Sequence, residues 1–583
     1  MKKLSIFTAV LLSMGMLVLS CSKVETEKEQ EIAVPDETIE EAQPVVEMTF
    51  SAEVSAKDAT KSVDADGITA WQAGETLAMY YQKNDDSFEK ATVTVGTPRG
   101  DGSAPITATL TNAKNGSALK FVYPASLSDA SGDFDPSLLA AQHGTIKDIS
   151  DHFYAATGTG TLVTDGTSCS TSESVKVTNQ ILIGKFIPKS SGTAISGITK
   201  LTIIDGTYTY TITPESTPFD DKGIYVAMMP VDSKEVTIAA ETGSGNYTFS
   251  KSGITLEVGN LYDNLAIPMV LGNLICVSTS TVDALRTTLN SAASGDVILM
   301  AAGTYVESNS NYIAFDGKDV TVRAASGAKV MIQAKVPITI ANGATAKFVD
   351  VSFDASHLND EQSWYEHVIY AIDDNVNNKL ILENCELKGF GKNNSAIFCS
   401  STNKLTSVSF NNCYFHDIQK SVFFGEGGVD NFSLTNSTIA NVIATVTDSY
   451  WAGIFDVRSE TTVMRVDHCT FYNCIPMNTD YGAISKSAPT NTSNCIFSLP
   501  TATDNVRAIR GASGLSEANY CMVHNYLKDS GWGIHSSVTI KNNCKQGDPL
   551  FVDAPNGDYH LGATSPARTA GAGSTPIGDP RWY

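Results

Sequence analysis

Two columns of residues recur through the C-terminal half of the chain, and repetition of this kind leaves few folds open. The first column reads Asp350-Val351-Ser-Phe353, Asn384-Cys385-Glu-Leu387, Asn412-Cys413-Tyr-Phe415, Asn436-Ser437-Thr-Ile439, His468-Cys469-Thr-Phe471 and Asn494-Cys495-Ile-Phe497. Its second positions are 34, 28, 24, 32 and 26 residues apart. The other column reads Ala371-Ile372, Ala396-Ile397, Ser421-Val422, Gly453-Ile454, Ala483-Ile484 and Ala508-Ile509, with steps of 25, 25, 32, 30 and 25. Two independent columns at similar periods mean one coil per repeat, with insertions taken up in loops. Each coil then adds one strand to parallel sheets about 4.8 Å apart.

The columns have a physical reading. Stacked Asn384, Asn412, Asn436 and Asn494 are expected to hydrogen-bond along the axis, one per turn. Cys385, Cys413, Cys469 and Cys495 share their column with Val351 and Ser437, which marks a small interior position filled by buried thiols. No CxxC pair or His-Cys spacing points to zinc. The Ile column is expected to point inward. Its neighbours Phe398, Phe423 and Phe455 would then stack outward on one sheet, as an apolar strip that an inserted loop covers.

Before the repeats, Ser278 to Ala293 reads as a short amphipathic helix with Val282, Leu285 and Leu289 on one face and Gly295 after its end. Gly295-Asp-Val-Ile-Leu-Met-Ala-Ala-Gly303-Thr-Tyr305 follows. Helix, Gly-Asp, apolar strand and Gly-Thr-Tyr together resemble the opening of pectin-lyase-like right-handed β-helices, and the resemblance implies that the helix caps the open end of the coil. The closing motifs Gly547-Asp-Pro-Leu-Phe551, Asp558-Tyr-His560-Leu, Ser565-Pro566-Ala and Gly578-Asp-Pro-Arg-Trp582 resemble the ending of a Bacteroidetes β-helix domain of unknown function. That likeness spans about residues 273–583 and implies a fold and a surface location, with no assigned catalytic residues.

Residues 46–270 alternate short strands and turns, for example Thr76–Gln82, Leu119–Tyr123 and Leu201–Thr213, with Asn115-Gly116 and Asp205-Gly206 as turn chemistry. Phe50-Ser-Ala-Glu53, Thr60-Lys61, Trp71-Gln-Ala-Gly74-Glu75, Phe121-Val-Tyr123-Pro124, Tyr225-Val-Ala-Met-Met-Pro230 and Leu256-Glu-Val-Gly259-Asn-Leu-Tyr262 occur in the order and spacing of the fimbrillin-like (Mfa-like) surface lipoproteins. The resemblance implies two transthyretin-like β-sandwich modules and a role in adhesion or presentation. More than 300 residues follow the last motif, so the module reads as a stalk.

The N-terminus is an address. Lys2 and Lys3 precede an apolar run that ends at Val18-Leu19-Ser20-Cys21. This resembles a bacterial lipobox, which implies a signal peptide over 1–20, cleavage before Cys21 and lipid on Cys21. Residues 21–45 are rich in Glu and carry Pro35 and Pro44, which makes an extended acidic tether. The expected architecture is all-β: sandwich modules over 46–270, then a right-handed parallel β-helix over 273–583. The expected location is the outer membrane, lipid-anchored and facing outward.

The chain has 40 Lys and Arg against 63 Asp and Glu, a formal charge of −23. Such a chain repels phosphate backbones, so nucleic acid is not an expected partner. Two strings imitate polysaccharide-degrading enzymes, Val466-Asp467-His468-Cys469 and Asn478-Thr-Asp480, but the first falls in the Asn-Cys column and neither has its companion motifs. Insertions bring Trp364, Tyr365, Tyr450 and Trp451 near the start of one sheet, and Asp456, Arg458 and Arg510 lie towards its other end. Aromatic rings with charged donors on one face suit stacking and bidentate hydrogen bonding to sugars. These seven residues are the candidate ligand-binding set, with a polysaccharide or cell-surface glycan as partner, and no catalytic residue or resident cofactor is assigned. The alternatives are a pectate-lyase-like or glycosidase enzyme, which would bring a role for calcium, and a structural pilus or surface-layer component.

Overall fold

Eight strands within residues 47–179 run in the order Ala104–Thr111, Phe88–Val95, Thr76–Gln82, Ala118–Tyr123, Ala156–Thr164, Ser168–Thr171, Glu47–Ala56 and Val175–Asn179. Glu47–Ala56 also pairs antiparallel with Ala104–Thr111, so this first module closes on itself rather than forming an open sandwich. Closure leaves fewer free strand edges to pair with other chains. The computed structural model describes residues 46–56, 71–279, 281–307, 312–358, 367–372, 377–391, 394–400, 405–426, 429–444, 453–459, 461–476 and 480–583, without the side chains of 55, 56, 334 and 530. Cys21, the signal segment and the tether lie outside the described residues.

The second module is a sandwich. Leu182–Ser190 carries Thr193–Ala194, Ile224–Met228 and Leu261–Pro268 in one sheet. The facing sheet runs Val270–Leu271, Gly245–Leu256, Val231–Thr242, Ile198–Ile204, Thr209–Ile212 and Ala141–Gln142. The expected strand over 201–213 is two strands, because Asp205 accepts the amides of Thr207 and Tyr208 and turns the chain. One apolar core runs through both modules, from Phe50 and Phe121 to Leu201, Val226 and Ile238.

From Leu274 onward the chain winds into a parallel β-helix. Its three sheets have eleven, ten and eight strands, entered in turn by each coil. The Asn column keeps one backbone conformation, since Asp350, Asn384, Asn412, Asn436, His468 and Asn494 all have φ between 50° and 59°, but its expected axial ladder is only partial: Asn436 donates to Asn411 and Asn494 to Asp467 instead. That left-handed turn suits Asn and Asp. Asn384 Nδ2 donates to Asp350 Oδ1 at 2.7 Å and Asn412 Nδ2 to Asn384 Oδ1 at 3.0 Å. Cys385, Cys413, Cys469 and Cys495 are buried and unbridged, and the register carries their column on to Cys521 and Cys544.

The Ile column needs a correction. Ile397 pairs with Ile369, not Ile372, and on its other side with Phe423, not Val422. Phe423 pairs with Phe455, and Phe455 with Ile484. Phe423 and Phe455 therefore point inward, where both touch Phe410 and Phe432 of the first sheet. Only Phe398 of the three expected outward rings lies outside, and Phe424 and Asp456 continue its column. A one-residue slip in register exchanges the two faces of a strand.

The cap helix is shorter than expected, Ala284–Ser291, with Leu285 and Leu289 buried. Val282 precedes it and is 63 % exposed. Asp283 supplies no side-chain cap; Glu307 Oε1 accepts from Leu285 N at 3.0 Å instead. Glu307 is buried beside Arg286, whose Nε is 3.7 Å from Oε2. Burial outweighs the Arg286 charge and lifts the Glu307 carboxyl to about 7. A raised folded-state value favours the protonated form, so this stabilisation is complete below about pH 4.5 and is lost as pH rises through 7. The unfolding temperature should drop more between pH 5 and pH 8 in the native chain than in Glu307→Gln, by the equivalent of about 1–3 kcal/mol. Equal drops would place the pH dependence elsewhere.

The sandwich and the helix meet through buried charge. Arg323, fully buried, donates to Thr237 Oγ1 at 2.6 Å and to Asp350 Oδ2 at 3.3 Å. Lys347 Nζ meets Glu235 Oε1 at 2.6 Å. At Gly272 the chains approach so closely that a Cβ would lie 2.1 Å from Gly295 O. The last residues fold back along the second sheet: Thr438 donates to Asp579 Oδ2 at 2.6 Å, and Arg581 Nη2 to Cys413 O at 2.8 Å.

Candidate ligand-binding face

The third sheet is built from strands of three to five residues, the shortest being Ile369–Ala371, Phe455–Val457, Gly482–Ile484 and Arg507–Ile509. Strands this short, bounded by long connections, present one or two outward side chains each. The register lines those up as Tyr370, Phe398, Phe424, Asp456, Ser485 and Arg510.

Rings stack along the first half of this column. Tyr370 and Phe398 have centroids 5.7 Å apart, and Phe398 and Phe424 5.6 Å. His367 lies on Phe398 at 4.6 Å, almost parallel, and its Nδ1 is 2.7 Å from Ser395 O. The Arg458 guanidinium sits 4.6 Å over the Phe424 ring. Phe398 and Phe424 are buried, so they form a covered floor, not an open platform.

Charge takes over in the second half. Asp456 is fully buried; its Oδ1 accepts from Lys486 N at 3.1 Å, and Oδ2 has no hydrogen-bond partner among the described residues. Burial raises its carboxyl to about 6, against the pull of Arg458, the Gly453 and Lys486 amides and the Lys486 charge. Lys486 Nζ lies 4.6 Å over the Tyr481 ring and 3.3 Å from its hydroxyl. Arg510 Nη1 donates to Asp480 O and is 3.8 Å from Asp480 Oδ1. The half-buried Arg458, Lys486 and Arg510 are the cationic rim of a floor that is aromatic at one end and acidic in the middle.

Of the seven expected residues, Asp456, Arg458 and Arg510 share this face; Trp364, Tyr365, Tyr450 and Trp451 lie outside the described residues. Phe424, Tyr481 and the outward turn of Asp456 were missed, because the register slip is not readable from Val-Phe-Phe or Ile-Phe-Asp. The string around Asp467 and His468 has a packing role: Asp467 Oδ1 accepts from Asn494 Nδ2 at 3.0 Å within the turn ladder. Asn478 lies outside the described residues, and Asp480 faces Arg510.

The family model of a domain of unknown function (DUF5123) matches residues 464–582, which hold the final coils and the returning tail. A search of curated proteins gives no match. Among solved structures, the chain is similar to a candidate cell adhesion protein of Bacteroides fragilis, at 12 % identity over 39 % of this chain and 96 % of that one, with a TM-score of 0.26. It is similar to a fimbrial protein of Bacteroides ovatus, at 12 % identity over 38 % of this chain and 50 % of that one, with a TM-score of 0.21. It is also similar to an alginate lyase of the PL6 family, at 15 % identity over 48 % of this chain and 38 % of that one, with a TM-score of 0.28.

Proposed function

We propose that this protein is a lipid-anchored cell-surface adhesin whose β-helix binds a glycan across the third sheet, with the sandwich modules as its stalk. The observation that supports this most is the single column in which stacked rings pass into Asp456 and end among Arg458, Lys486 and Arg510. Exposed rings beside forked donors are what sugar rings require; the rings of this column are a buried base for such a face. Trp364, Tyr365, Tyr450 and Trp451 belong to insertions that flank the same strands, and in this reading they supply the exposed rings.

The test is a glycan panel read with the mature chain. Trp364→Ala, Trp451→Ala and Arg510→Ala should each weaken the retained glycan by about 1–3 kcal/mol, with unfolding temperature little changed. Normal binding by all three would refute the reading. The anchor has its own measurement: Cys21→Ala should move the protein from the membrane fraction to the soluble one, and membrane retention would count against lipidation.

A cleaving enzyme is the second reading, and the Asp456 carboxyl supports it. A buried acid that titrates near pH 6 beside two cations is suited to proton transfer. Loss of polysaccharide cleavage in Asp456→Asn, with binding retained, would favour this reading over simple adhesion.

A further inference from the structure

A second polar site lies away from the third sheet, where the sandwich meets the helix. A cleft of about 570 Å³ opens between the sandwich turn at 205–207, the bulged start of the strand Val231–Thr242 and the Asn turns of the first coils. That volume holds a ligand of two or three sugar rings. Its helix wall is the amide ladder. Asn384 and Asn412 continue the ladder from Asp350, but Asn436 Nδ2 donates to Asn411 Oδ1 instead. The ladder therefore stops at Asn412: among the described residues no side chain of the next coil donates to Asn412 Oδ1. Asp232 and Lys234 stand exposed on the opposite lip, and Arg581 closes one end.

Charge narrows the choice of ligand. The lining holds five carboxylates, Asp205, Asp232, Glu235, Asp350 and Glu383, against Lys234 and Arg581. Arg323 and Lys347 behind the wall offset Asp350 and Glu235, while Asp579 engages Arg581. With these groups counted, six carboxylates face four cations, Lys234 included, so the cleft stays negative, and no aromatic ring is among its lining residues. Such a cleft repels polyanions and offers acceptors to a donor-rich molecule.

We infer that this cleft binds a polyhydroxylated ligand that is neutral or cationic, of the amino-sugar class, between the two modules. The site shares no residue with the third-sheet face, so either can fail without the other.

Calorimetry of the mature chain against fully deacetylated chitosan trimer, cellotriose and trigalacturonate tests it. The expected result is saturable one-to-one binding of the chitosan trimer, weaker binding of cellotriose and none of trigalacturonate. Asp232→Ala, exposed at the bulged start of its strand, and Asn412→Gly, which keeps the left-handed backbone, should each weaken the chitosan trimer at least fivefold. Arg510→Ala should leave it unchanged. The inference is overturned if no probe saturates or if trigalacturonate binds as well as the chitosan trimer. It is also overturned if Asp232→Ala binds like the native chain, which would mark mere attraction to an acidic protein. If Asn412→Gly fails to fold, Asp232→Ala decides alone.

Discussion

Ile397→Asp is expected to unfold the β-helix. Ile397 has no exposed surface and sits between Ile369 and Phe423 in a column walled by rings from the other sheets. Among the described residues its surroundings are the apolar core, so the new carboxylate would be buried without a partner, at about 4–5 kcal/mol. A loss of this size is comparable to the whole stability of many domains. Phe455→Ala removes a ring that touches Phe410, Phe415, Phe432 and Phe471, and should cost about 3–5 kcal/mol as a cavity. Thermal unfolding by circular dichroism reads both. Native-like unfolding of Ile397→Asp would mean that the column does not face the core.

The second large effect concerns the returning tail. Asp579 is 1 % exposed and accepts from Thr438 Oγ1, while its carboxylate clamps Arg581. Arg581 in turn donates to the backbone oxygens of Asn412 and Cys413, and Trp582 Nε1 donates to Thr438 at 2.7 Å. One carboxylate, directly and through Arg581, thus ties the last residues to two earlier coils. Gly578 lets the chain run this close, since a Cβ there would lie 2.8 Å from both Ile496 Cδ1 and Thr470 Oγ1. Asp579→Ala removes the acceptor of the Thr438 hydroxyl and one partner of the solvent-facing Arg581, for an expected loss of about 1–3 kcal/mol. The tail should then become open to proteolysis, so limited digestion should remove residues after about 546 from the variant before the native chain is cut. Equal digestion of the two would show that the tail is held by its apolar contacts alone, chiefly Ile577 against Ile496 and Met522.

The candidate face was half legible. Asp456, Arg458 and Arg510 were expected on one sheet by counting from the repeats; Asp456 lies in a strand of the third sheet, and Arg458 and Arg510 each follow one directly. Which way Asp456 faces was not legible. Val422-Phe423-Phe424 is apolar on both sides of the strand, and Ile454-Phe455-Asp456 puts an apolar residue and a carboxylate on the same side, so no clean alternation distinguishes core from outside. The packing made that choice, because Phe423 and Phe455 meet Phe410 and Phe432 of the first sheet in the core.

What the sequence determined alone is whatever repeats locally. A left-handed turn needs Asn or Asp in each coil, and a narrow interior position needs Cys, Ser or Val, so both requirements return at every turn and can be counted. The β-helix, its cap and the strand-rich modules before it follow from such local demands. Tertiary structure alone decided the rest: the closure of the first module, the capping of the helix by Glu307, the Arg323 and Lys347 contacts at the junction, and the anchoring of the tail by Asp579. Each joins residues far apart in the chain and occurs once. A single distant pairing leaves no period in a sequence, because its partners are related only by the path the folded backbone takes between them.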